Sequence, residues 1–360
     1  MLRLSKITIT QFKNYGLSVF DFPERIIGIC GLNGRGKTNL LDAIYYCCFT
    51  KSYFSRADAL NVQFEKEGFR LEAEMIRGED KARLVCILRE QGKKELLVND
   101  QAYEKLSQHI GRFPAVMIAP DDISLITGTS EERRRYLDAA LCQVDMDYLQ
   151  NLIVYNKVLL QRNSALKRFA ELGKTDWQLL DVLDEQLAVP GKMIYERRKV
   201  FTAELIPLIQ SFYTTIAGGT EAAGIRYESQ LHTSSFEGLL NQNREKDFIL
   251  QRTQGGIHKD ELLLDLNGQV FKTTASQGQR KSLLFALRLA EFEMLKSNKG
   301  FPPLLLLDDV FEKLDDNRMN QLLHWVCKEN TGQVFITDTH KERLVEVFEG
   351  LGTAYQVIEL

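Results

Sequence analysis

The sequence has no excess of positive charge, no long hydrophobic run and no internal repeat. Its 360 residues carry a formal net charge of −3 at pH 7. Affinity for nucleic acid grows with the number of phosphates that cations engage, so this chain is not a general polyanion binder and any nucleic-acid site must be local. No apolar stretch approaches the roughly 20 residues of a membrane-spanning helix. The start, Met1 to Leu4, leads directly into an alternating strand pattern, so no signal peptide is predicted.

A C-x-x-C motif is also absent among the six cysteines. Cys30 lies in a predicted strand, and Cys47 and Cys48 lie in the predicted helix that follows it. We expect these thiols to be buried and reduced, which predicts a cytoplasmic location. No zinc site is predicted.

The most informative feature present is a loop with the spacing G-x-x-x-x-G-K-[ST], between a strand-like run (25–30) and a helix-like stretch (39–49). Glycines let backbone N–H groups surround a phosphate at a helix N-terminus, while the lysine reaches the β and γ oxygens and the threonine binds Mg²⁺. A glycine-rich surface turn is the alternative, and the flanking strand and helix disfavour it. The predicted ATP-binding residues are Gly31, Leu32, Asn33, Gly34, Arg35, Gly36, Lys37, Thr38 and Asn39.

A second motif is an unbroken apolar run, 303–307, that ends in two aspartates. A buried central strand of this kind delivers carboxylates to its C-terminal edge. We predict that Asp308 and Thr38 bind Mg²⁺, and that Asp309 polarises the attacking water, with Lys37 as the second catalytic residue. Alone, the run would equally indicate a strand whose acidic end caps a turn. The glycine-rich loop favours the nucleotide site.

A third motif opens the helix-like stretch 281–296, with Ser276 placed to cap it. A serine and a glycine at a helix start form an anion site, and the chain already has one such site in its glycine-rich loop. The economical interpretation is that Ser276, Gly278 and Gln279 contact the γ-phosphate of a nucleotide held by a second copy, as in ABC-type ATPases. A plain capped core helix is the alternative.

The pattern along the chain changes twice. Short strand-like runs dominate 1–125, long helical stretches interrupted near Thr175 and at Pro190-Gly191 fill 126–220, and strands return in 221–360. We therefore predict an α/β fold in which 1–125 and 221–360 form an ABC-type P-loop ATPase lobe. A helical arm, 126–220, is inserted into that lobe.

Further motifs extend over essentially the whole chain. They are Phe12-Lys13-Asn14-Tyr15, the run from Gly36 to Ile44, Pro120-Asp121-Asp122, the run from Glu132 to Asp138, Gln161-Arg162-Asn163, Ala165-Leu166-Lys167, Gly256 with His258 to Leu262, and Leu307 to Phe311 before Leu314-Asp315. With the Ser276 loop, they resemble the RecF family of bacterial DNA replication and repair ATPases, relatives of the SMC proteins. The block from Arg133 to Asp138 is the most specific of them.

The chain departs from the family pattern at Thr129-Ser130, at Ile257 and at Glu312-Lys313. These positions lie beside the chemistry and remove no catalytic group. The histidine that ABC ATPases place after their last core strand has no clean counterpart. The stretch 333–336 is predicted to be that strand, and Thr337-Asp338-Thr339-His340 follows it, so which of these four faces the γ-phosphate stays open.

The resemblance implies a weak DNA-linked ATPase that dimerises head to tail around two Mg²⁺-ATP molecules. It also implies binding of double-stranded DNA and of single-strand/double-strand junctions, and partnership with RecO and RecR in loading recombinase at gaps. Candidate DNA contacts are the basic clusters Arg133, Arg134 and Arg135, then Lys167 and Arg168, then Arg197, Arg198 and Lys199. From the residues alone, each cluster would be a solvated helix face.

Other classes of protein share parts of this pattern. The nucleotide-binding subunit of an ABC transporter carries all three motifs, but its signature is closer to Leu-Ser-Gly-Gly-Gln and it needs no arm. Another SMC-like ATPase is a nearer alternative. A small-molecule kinase or GTPase would work as a monomer, with its second motif much nearer the first.

Overall fold

The protein divides into two compact units in the computed structural model, which describes residues 1–219, 222–311 and 316–360. The first unit comprises Met1–Ile123, Ser211–Glu221 and Ser276–Leu360. The second comprises Ser124–Gln210 and Ala222–Ala275. Each unit thus joins segments that are distant in the sequence.

One sheet of the first unit is antiparallel and has six strands in the order β2-β1-β4-β5-β6-β7. Its inward-facing positions alternate with outward ones along β1, as expected for a sheet with one covered face. The strands are β1 (Leu2–Phe12), β2 (Tyr15–Asp21), β4 (Phe69–Arg77), β5 (Asp80–Leu88), β6 (Lys94–Val98) and β7 (Gln101–Ala102).

The other sheet of the first unit is parallel, in the order β14-β3-β13-β12-β8. Its strands are β3 (Ile26–Cys30), β8 (Ala115–Ile118), β12 (Leu304–Leu307), β13 (Val334–Asp338) and β14 (Tyr355–Glu359). Every residue of β3, β12 and β13 is buried, which explains their continuous apolar runs. Because the strands are parallel, the residues after β3, β12 and β13 meet at one edge.

The helices of the first unit are α1 (Lys37–Phe49), α8 (Gln277–Lys299), α9 (Asp316–His324) and α10 (Lys341–Gly350), with a π-helix at Trp325–Glu329. Helix α1 contacts strands of both sheets, and its hydrophobic residues are buried all round, as an interior helix requires. Short 3₁₀ turns occur at Asp58–Asn61, Glu90–Gly92, Leu106–His109 and Pro120–Ile123. The cysteines of β3 and α1 are buried, as predicted.

The second unit consists of helices and one small sheet. Its helices are α2 (Ser124–Thr127), α3 (Ser130–Val144), α4 (Met146–Leu172), α5 (Trp177–Ile216), α6 (Phe236–Leu250) and α7 (Phe271–Thr274), with 3₁₀ turns at Gln230–His232 and Ile257–Lys259. Its antiparallel strands are β9 (Ala223–Glu228), β10 (Glu261–Leu266) and β11 (Gln269–Val270). None of the helices in the described ranges has both the length and the apolar character that crossing a bilayer requires.

The predicted boundary at 220 needs correction, because 222–275 belongs to the unit that contains the long helices. Two contacts show why. Arg133 of α3 forms a bidentate ion pair with Glu261 of β10, and Arg198 of α5 forms an ion pair with Asp260. A strand pattern alone does not reveal which helices cover the strand, so the sequence placed this segment with the other strands.

The predicted interruption at Pro190-Gly191 is also wrong, since α5 runs through both residues without a break. Proline has no backbone N–H, so the helix lacks one hydrogen bond at Pro190. Pro190 and Gly191 are both buried, and their packing offsets this loss. A side chain at Gly191 would stand 2.2 Å from the ring of Phe236. The glycine is therefore a close-packing position within the helix. The break near Thr175 is confirmed, because α4 ends at Leu172 and α5 begins at Trp177.

Candidate nucleotide site

The glycine-rich loop joins β3 to α1, and its three glycines, Gly31, Gly34 and Gly36, all have positive φ angles that other residues rarely adopt. Gly31 has φ +145°, and a Cβ there would stand 2.6 Å from the carbonyl oxygen of Leu360. Gly36 has φ +109° and precedes α1. A Cβ at Gly36 would stand 2.6 Å from the side-chain nitrogen of Asn14. A side chain would therefore be strained at both positions, and it would meet backbone at Gly31 and the Asn14 side chain at Gly36.

The residues between these glycines form the exposed part of the loop. Leu32, Asn33, Gly34 and Arg35 are exposed, and the Arg35 N–H donates to the Leu32 carbonyl at 3.3 Å. Lys37 is buried beneath them, and its Nζ donates to the carbonyls of Gly31 at 2.7 Å and Leu32 at 3.2 Å. The lysine thus holds its charge inside the curve of the loop.

The motif Phe12-Lys13-Asn14-Tyr15 contacts this loop through two of its side chains. Asn14 donates to the Arg35 carbonyl at 3.2 Å, and the Tyr15 hydroxyl donates to the Gly36 carbonyl at 3.1 Å. Asn39 donates to the Asn14 side-chain oxygen at 2.7 Å. We had not predicted Asn14 or Tyr15 as site residues. Both residues belong to the motif Phe12-Lys13-Asn14-Tyr15, which was the only sequence feature that could have pointed to them. The spacing of a motif does not show that a strand end lies beside a loop further along the chain.

Thr38 and Asp308 meet although 270 positions separate them. The Thr38 hydroxyl lies 3.0 Å from Oδ1 and 2.9 Å from Oδ2 of Asp308, at the shared edge of β3 and β12. Asp308 is buried, and burial raises the pKa of its carboxyl, while hydrogen bonds from Thr337 and Thr38 oppose that shift. This hydroxyl–carboxylate pair supplies the hard oxygen ligands that Mg²⁺ prefers.

Asp309 follows in a left-handed backbone conformation with φ +48°. This conformation turns the chain sharply after β12, and aspartate is among the few residue types that tolerate it. The Asp309 N–H donates to the Thr337 hydroxyl at 2.8 Å, and that hydroxyl donates to Asp308 Oδ1 at 2.8 Å. Thr337 therefore positions both aspartates.

Thr337 answers part of the question that the sequence left open. Of the four residues Thr337 to His340, Thr337 contacts the aspartates, whereas the His340 side chain is 69% exposed and contacts Thr339. Asp338 is buried and forms an ion pair with Arg343 of α10. Alternation along β13 explains this division, because successive side chains point to opposite faces of a strand.

The Ser276 segment forms a capping box at the start of α8. The Gln279 N–H donates to Ser276 Oγ at 3.2 Å, and the Ser276 N–H donates to Gln279 Oε1 at 2.7 Å. Ser276 is exposed, and Gly278 and Gln279 are half-buried. The capped helix start predicted from the sequence is confirmed, and α8 begins four residues earlier than the predicted stretch.

Comparisons with known proteins agree on one family. The family model described as the RecF/RecN/SMC N terminal domain matches residues 3–358. A protein of Flavobacterium johnsoniae named DNA replication and repair protein RecF is 41% identical over 359 residues, which is all of both chains. The chain belongs to the RecF family. A RecF of Parabacteroides distasonis is similar as well, at 39% identity over 99% of this chain and 97% of the relative.

Solved structures extend the likeness of this RecF-family chain to its fold. A structure titled recombination mediator protein RecF-ATPrS in the RecFOR pathway has a TM-score of 0.86 and 31% identity over 94% of this chain and 93% of that one. An Smc head domain of Pyrococcus furiosus has a TM-score of 0.56 at 15% identity, covering 100% of this chain and 93% of that one. The predicted α/β fold of ABC-type P-loop ATPases is thereby confirmed.

Three of the basic residues that the RecF-like sequence offered as DNA contacts are engaged within the protein, and Arg198 is corrected because it is buried. Arg198 is buried and forms ion pairs with Asp138 and Asp260, each at 2.8 Å. Arg133 is held by Glu261, and Arg134 donates to the Asp260 carbonyl at 2.7 Å. Arg133 joins α3 to β10, while Arg134 and Arg198 contact Asp260 just before that strand. A guanidinium suits this role because it can satisfy several acceptors at once.

The remaining basic candidates stay predictions. Arg135, Lys167, Arg168, Arg197 and Lys199 are exposed, although Arg135 forms an ion pair with Glu131 and Arg197 with Asp145. The Leu314-Asp315 motif of this RecF-family chain, with the departures at Glu312-Lys313, lies outside the described residues.

Proposed function

We propose that this chain is an ATP-dependent DNA-binding ATPase of replication and recombinational repair, which works in the cytoplasm. One observation carries the proposal: the Thr38 hydroxyl and the Asp308 carboxylate lie 2.9–3.0 Å apart at the end of a glycine-rich loop. This pairing of a phosphate loop with a carboxylate from another strand of the same sheet is what phosphoryl transfer requires. The names of the relatives support DNA replication and repair as the setting.

In the proposed site, the loop from Gly31 to Asn39 binds the phosphates of ATP. Backbone N–H groups at the start of α1 face the anion, and Lys37 adds the positive charge. Thr38 and Asp308 would hold Mg²⁺, and the ion would neutralise negative charge on the phosphates. The titles of two solved relatives, one with ATP and one with ATPrS, support ATP as the nucleotide.

Hydrolysis in this proposal depends on Asp309. Its carboxylate orients a water molecule for in-line attack on the γ-phosphate and accepts a proton from it, so that the products are ADP and phosphate. Thr337 fixes the backbone of Asp309 through the 2.8 Å hydrogen bond. Catalysis here is mainly positioning and charge stabilisation. The resemblance to the RecF family implies that turnover is slow and linked to DNA.

We propose that Ser276, Gly278 and Gln279 complete the site of a second copy. Because Ser276 Oγ accepts the Gln279 N–H, its own proton remains available to donate to a phosphate oxygen. Two copies would then dimerise head to tail around two nucleotides, and the dimer would double the cationic contacts to double-stranded DNA. Single-strand/double-strand junctions are proposed as targets, and RecO and RecR as partners, because solved relatives belong to the RecFOR pathway.

Sedimentation of Asp309→Asn with saturating ATP tests the composite site. Asparagine tolerates the left-handed backbone, so we expect the variant to bind ATP, stall hydrolysis and form dimers. Adding Ser276→Asp keeps a helix cap but places a negative charge beside the γ-phosphate, and should abolish the dimer. Adding Ser276→Asn caps the helix without a charge and is the matched control.

The account fails if Asp309→Asn remains a monomer with ATP bound, or if Ser276→Asp dimerises as well as Ser276→Asn. A normal hydrolysis rate in Asp309→Asn would remove that residue from its proposed role. A nucleotide-binding subunit of a transporter is not favoured, because the relatives that match the whole chain are RecF proteins.

A further inference from the structure

We propose that a cavity in the second unit binds phosphate groups of a nucleic-acid backbone. The cavity has a volume of about 430 Å³ and lies between the C-terminal half of α4, the end of α6 and the turn Ile257–Lys259. The inference rests on the proposed DNA-binding function and adds a location for it. Of the residues that line it, only Lys167 is among the basic DNA-contact candidates named above.

Three of the sequence motifs converge at this cavity. Asn163 and Lys167 come from the motifs 161–163 and 165–167 of α4, while His258 and Lys259 come from the motif that begins at Gly256. Arg252 joins them from the chain after α6. Residues of distant segments that meet around one opening indicate a common role.

The charge of the cavity points to an anion. Lys167, Arg252 and Lys259 line it, and none of the described residues that line it carries a carboxylate. Burial lowers the pKa of the Lys259 ammonium, and the charges of Arg252 and Arg134 lower it further. Clustering cations in this way costs electrostatic energy, which an anion between them would relieve.

A neutral donor adds to the three cations. Asn163 Oδ1 accepts the Thr253 N–H at 2.7 Å and the Thr253 hydroxyl at 2.8 Å. Because a backbone N–H can only donate, the atom facing it must be the amide oxygen, and the Asn163 NH₂ group is the other branch of that side chain. The side chain therefore offers donors at a position that lines the cavity.

The floor of the cavity is preorganised. Arg162 is wholly buried, donates to Thr253 Oγ1 at 2.9 Å, and forms ion pairs with Asp184 and Asp247 at 2.6 and 2.7 Å. The second oxygen of Asp247 accepts the Gln254 N–H at 2.8 Å, so this carboxylate is fully engaged. A scaffold fixed in this way reduces the conformational entropy that is lost when a ligand binds.

The neutral histidine of the cavity completes this scaffold. His258 Nε2 donates to the Thr253 carbonyl at 3.0 Å, and Nδ1 accepts from the Tyr155 hydroxyl at 2.7 Å. Burial lowers the pKa of His258 to about 4, so it is neutral at pH 7. It orients Thr253 and adds no charge of its own.

The walls favour a nucleic-acid strand over a lone anion. Leu160 and Leu250 line the cavity and are 69% and 54% exposed, and apolar side chains of this kind suit the face of a sugar or a base. Three cations spread over one opening match successive phosphates of a strand. The volume also falls in the range of ligand pockets.

The test is a salt titration of duplex DNA binding, in ATP, for Arg252→Gln and Lys259→Gln. If each cation engages one phosphate, each variant lowers the slope of log affinity against log salt by about 0.9. That corresponds to a loss of about eightfold in affinity at 0.1 M salt. Lys246→Gln, on an exposed position of α6 outside the cavity, is the matched control and should keep the wild-type slope. Thermal midpoints of all variants check that they fold.

Each outcome is decisive. Absence of DNA binding by the unaltered protein sinks the proposed function itself. DNA binding with wild-type slopes in both variants, or an equal loss in Lys246→Gln, overturns the cavity inference alone. Inorganic phosphate titrated at constant ionic strength identifies a free-anion site. If phosphate stabilises only the unaltered protein while all DNA slopes agree, the cavity binds free phosphate and the inference is wrong.

Discussion

Thr337 links the two aspartates of the candidate nucleotide site. Its hydroxyl donates to Asp308 and accepts from the Asp309 N–H, so one side chain links the proposed metal ligand to the proposed catalytic carboxylate. Neither aspartate can shift without breaking a buried hydrogen bond. Thr337 is therefore a positioning residue and not a catalytic one.

Thr337→Val tests this role, because valine keeps the shape and removes the hydroxyl. We expect hydrolysis to fall by at least about tenfold, since removing positioned polar groups costs on that order in phosphoryl-transfer sites. ATP-dependent thermal stabilisation should persist, since the loop from Gly31 to Thr38 is unchanged. Phosphate release and thermal shift are the two measurements.

Thr337→Ser is the matched control, since serine restores the hydroxyl, and it should recover most of the rate. Equal rates in the valine and serine variants would show that the hydrogen bond to Asp309 does not matter for turnover. Loss of ATP-dependent stabilisation in the valine variant alone would instead give Thr337 a role in binding.

Helix α3 carries arginines that the sequence suggests for DNA binding, but the structure shows contacts within the protein for them. Its arginines resemble a basic stripe, yet Arg133 donates from Nε and Nη2 to both oxygens of Glu261 and from Nη1 to the Leu125 carbonyl. Arg135 is the exposed member, 55% accessible and paired with Glu131. The helix is thus anchored to β10 by one arginine and exposes another.

Exchanging the charges of Arg133 and Glu261 separates these roles. Arg133→Glu places two carboxylates together in a mostly buried site and should lower the free energy of unfolding by about 3 kcal/mol. Adding Glu261→Arg should recover part of that loss. Arg135→Glu, at an exposed position, should cost less than about 1 kcal/mol. Urea unfolding measures all three.

The DNA affinity of the double variant distinguishes direct DNA contact by Arg133 from an effect through the fold. If the double variant regains stability but still binds DNA weakly, Arg133 contacts DNA directly and its ion pair is secondary. If stability and DNA binding recover together, the arginine acts through the fold.

At the scale of the whole molecule, buried histidines make stability depend on pH. His109 is wholly buried, and its Nε2 lies 2.8 Å from the Cys47 carbonyl. Burial lowers its pKa from 6.5 to about 4. The unfolded chain therefore binds this proton at a higher pH than the folded chain. The contribution of His109 to the free energy of unfolding is fully present above pH 6.5 and is lost as the pH falls from 6.5 towards 4.

The His109→Gln variant tests this dependence. Removing one such proton should lower the slope of unfolding free energy against pH by up to about 1.4 kcal/mol per pH unit between pH 6 and 5. Urea unfolding at three pH values in that window gives the slope for each protein. The readout is the slope, so a uniform loss of stability in the variant does not affect it. Parallel slopes would show that His109 is not kept neutral by the fold.

Local patterns determined much of this protein. The strand before the glycine-rich loop, the left-handed glycines, the apolar run before Asp308 and the Ser276 cap follow from backbone sterics and from the periodicity of burial, which act over a few residues. Those rules identified the parts of a nucleotide site in the sequence. They also identified the break between α4 and α5.

Only the tertiary structure decided which parts meet. Contacts of Glu261 with Arg133 and of Asp260 with Arg198 joined 222–275 to the long helices. Packing against Phe236 accompanies the passage of α5 through Pro190 and Gly191. Long-range contacts also buried Arg198 and gave Thr337 its two aspartates. Burial and partner choice depend on residues far away in the chain, so no local pattern encodes them.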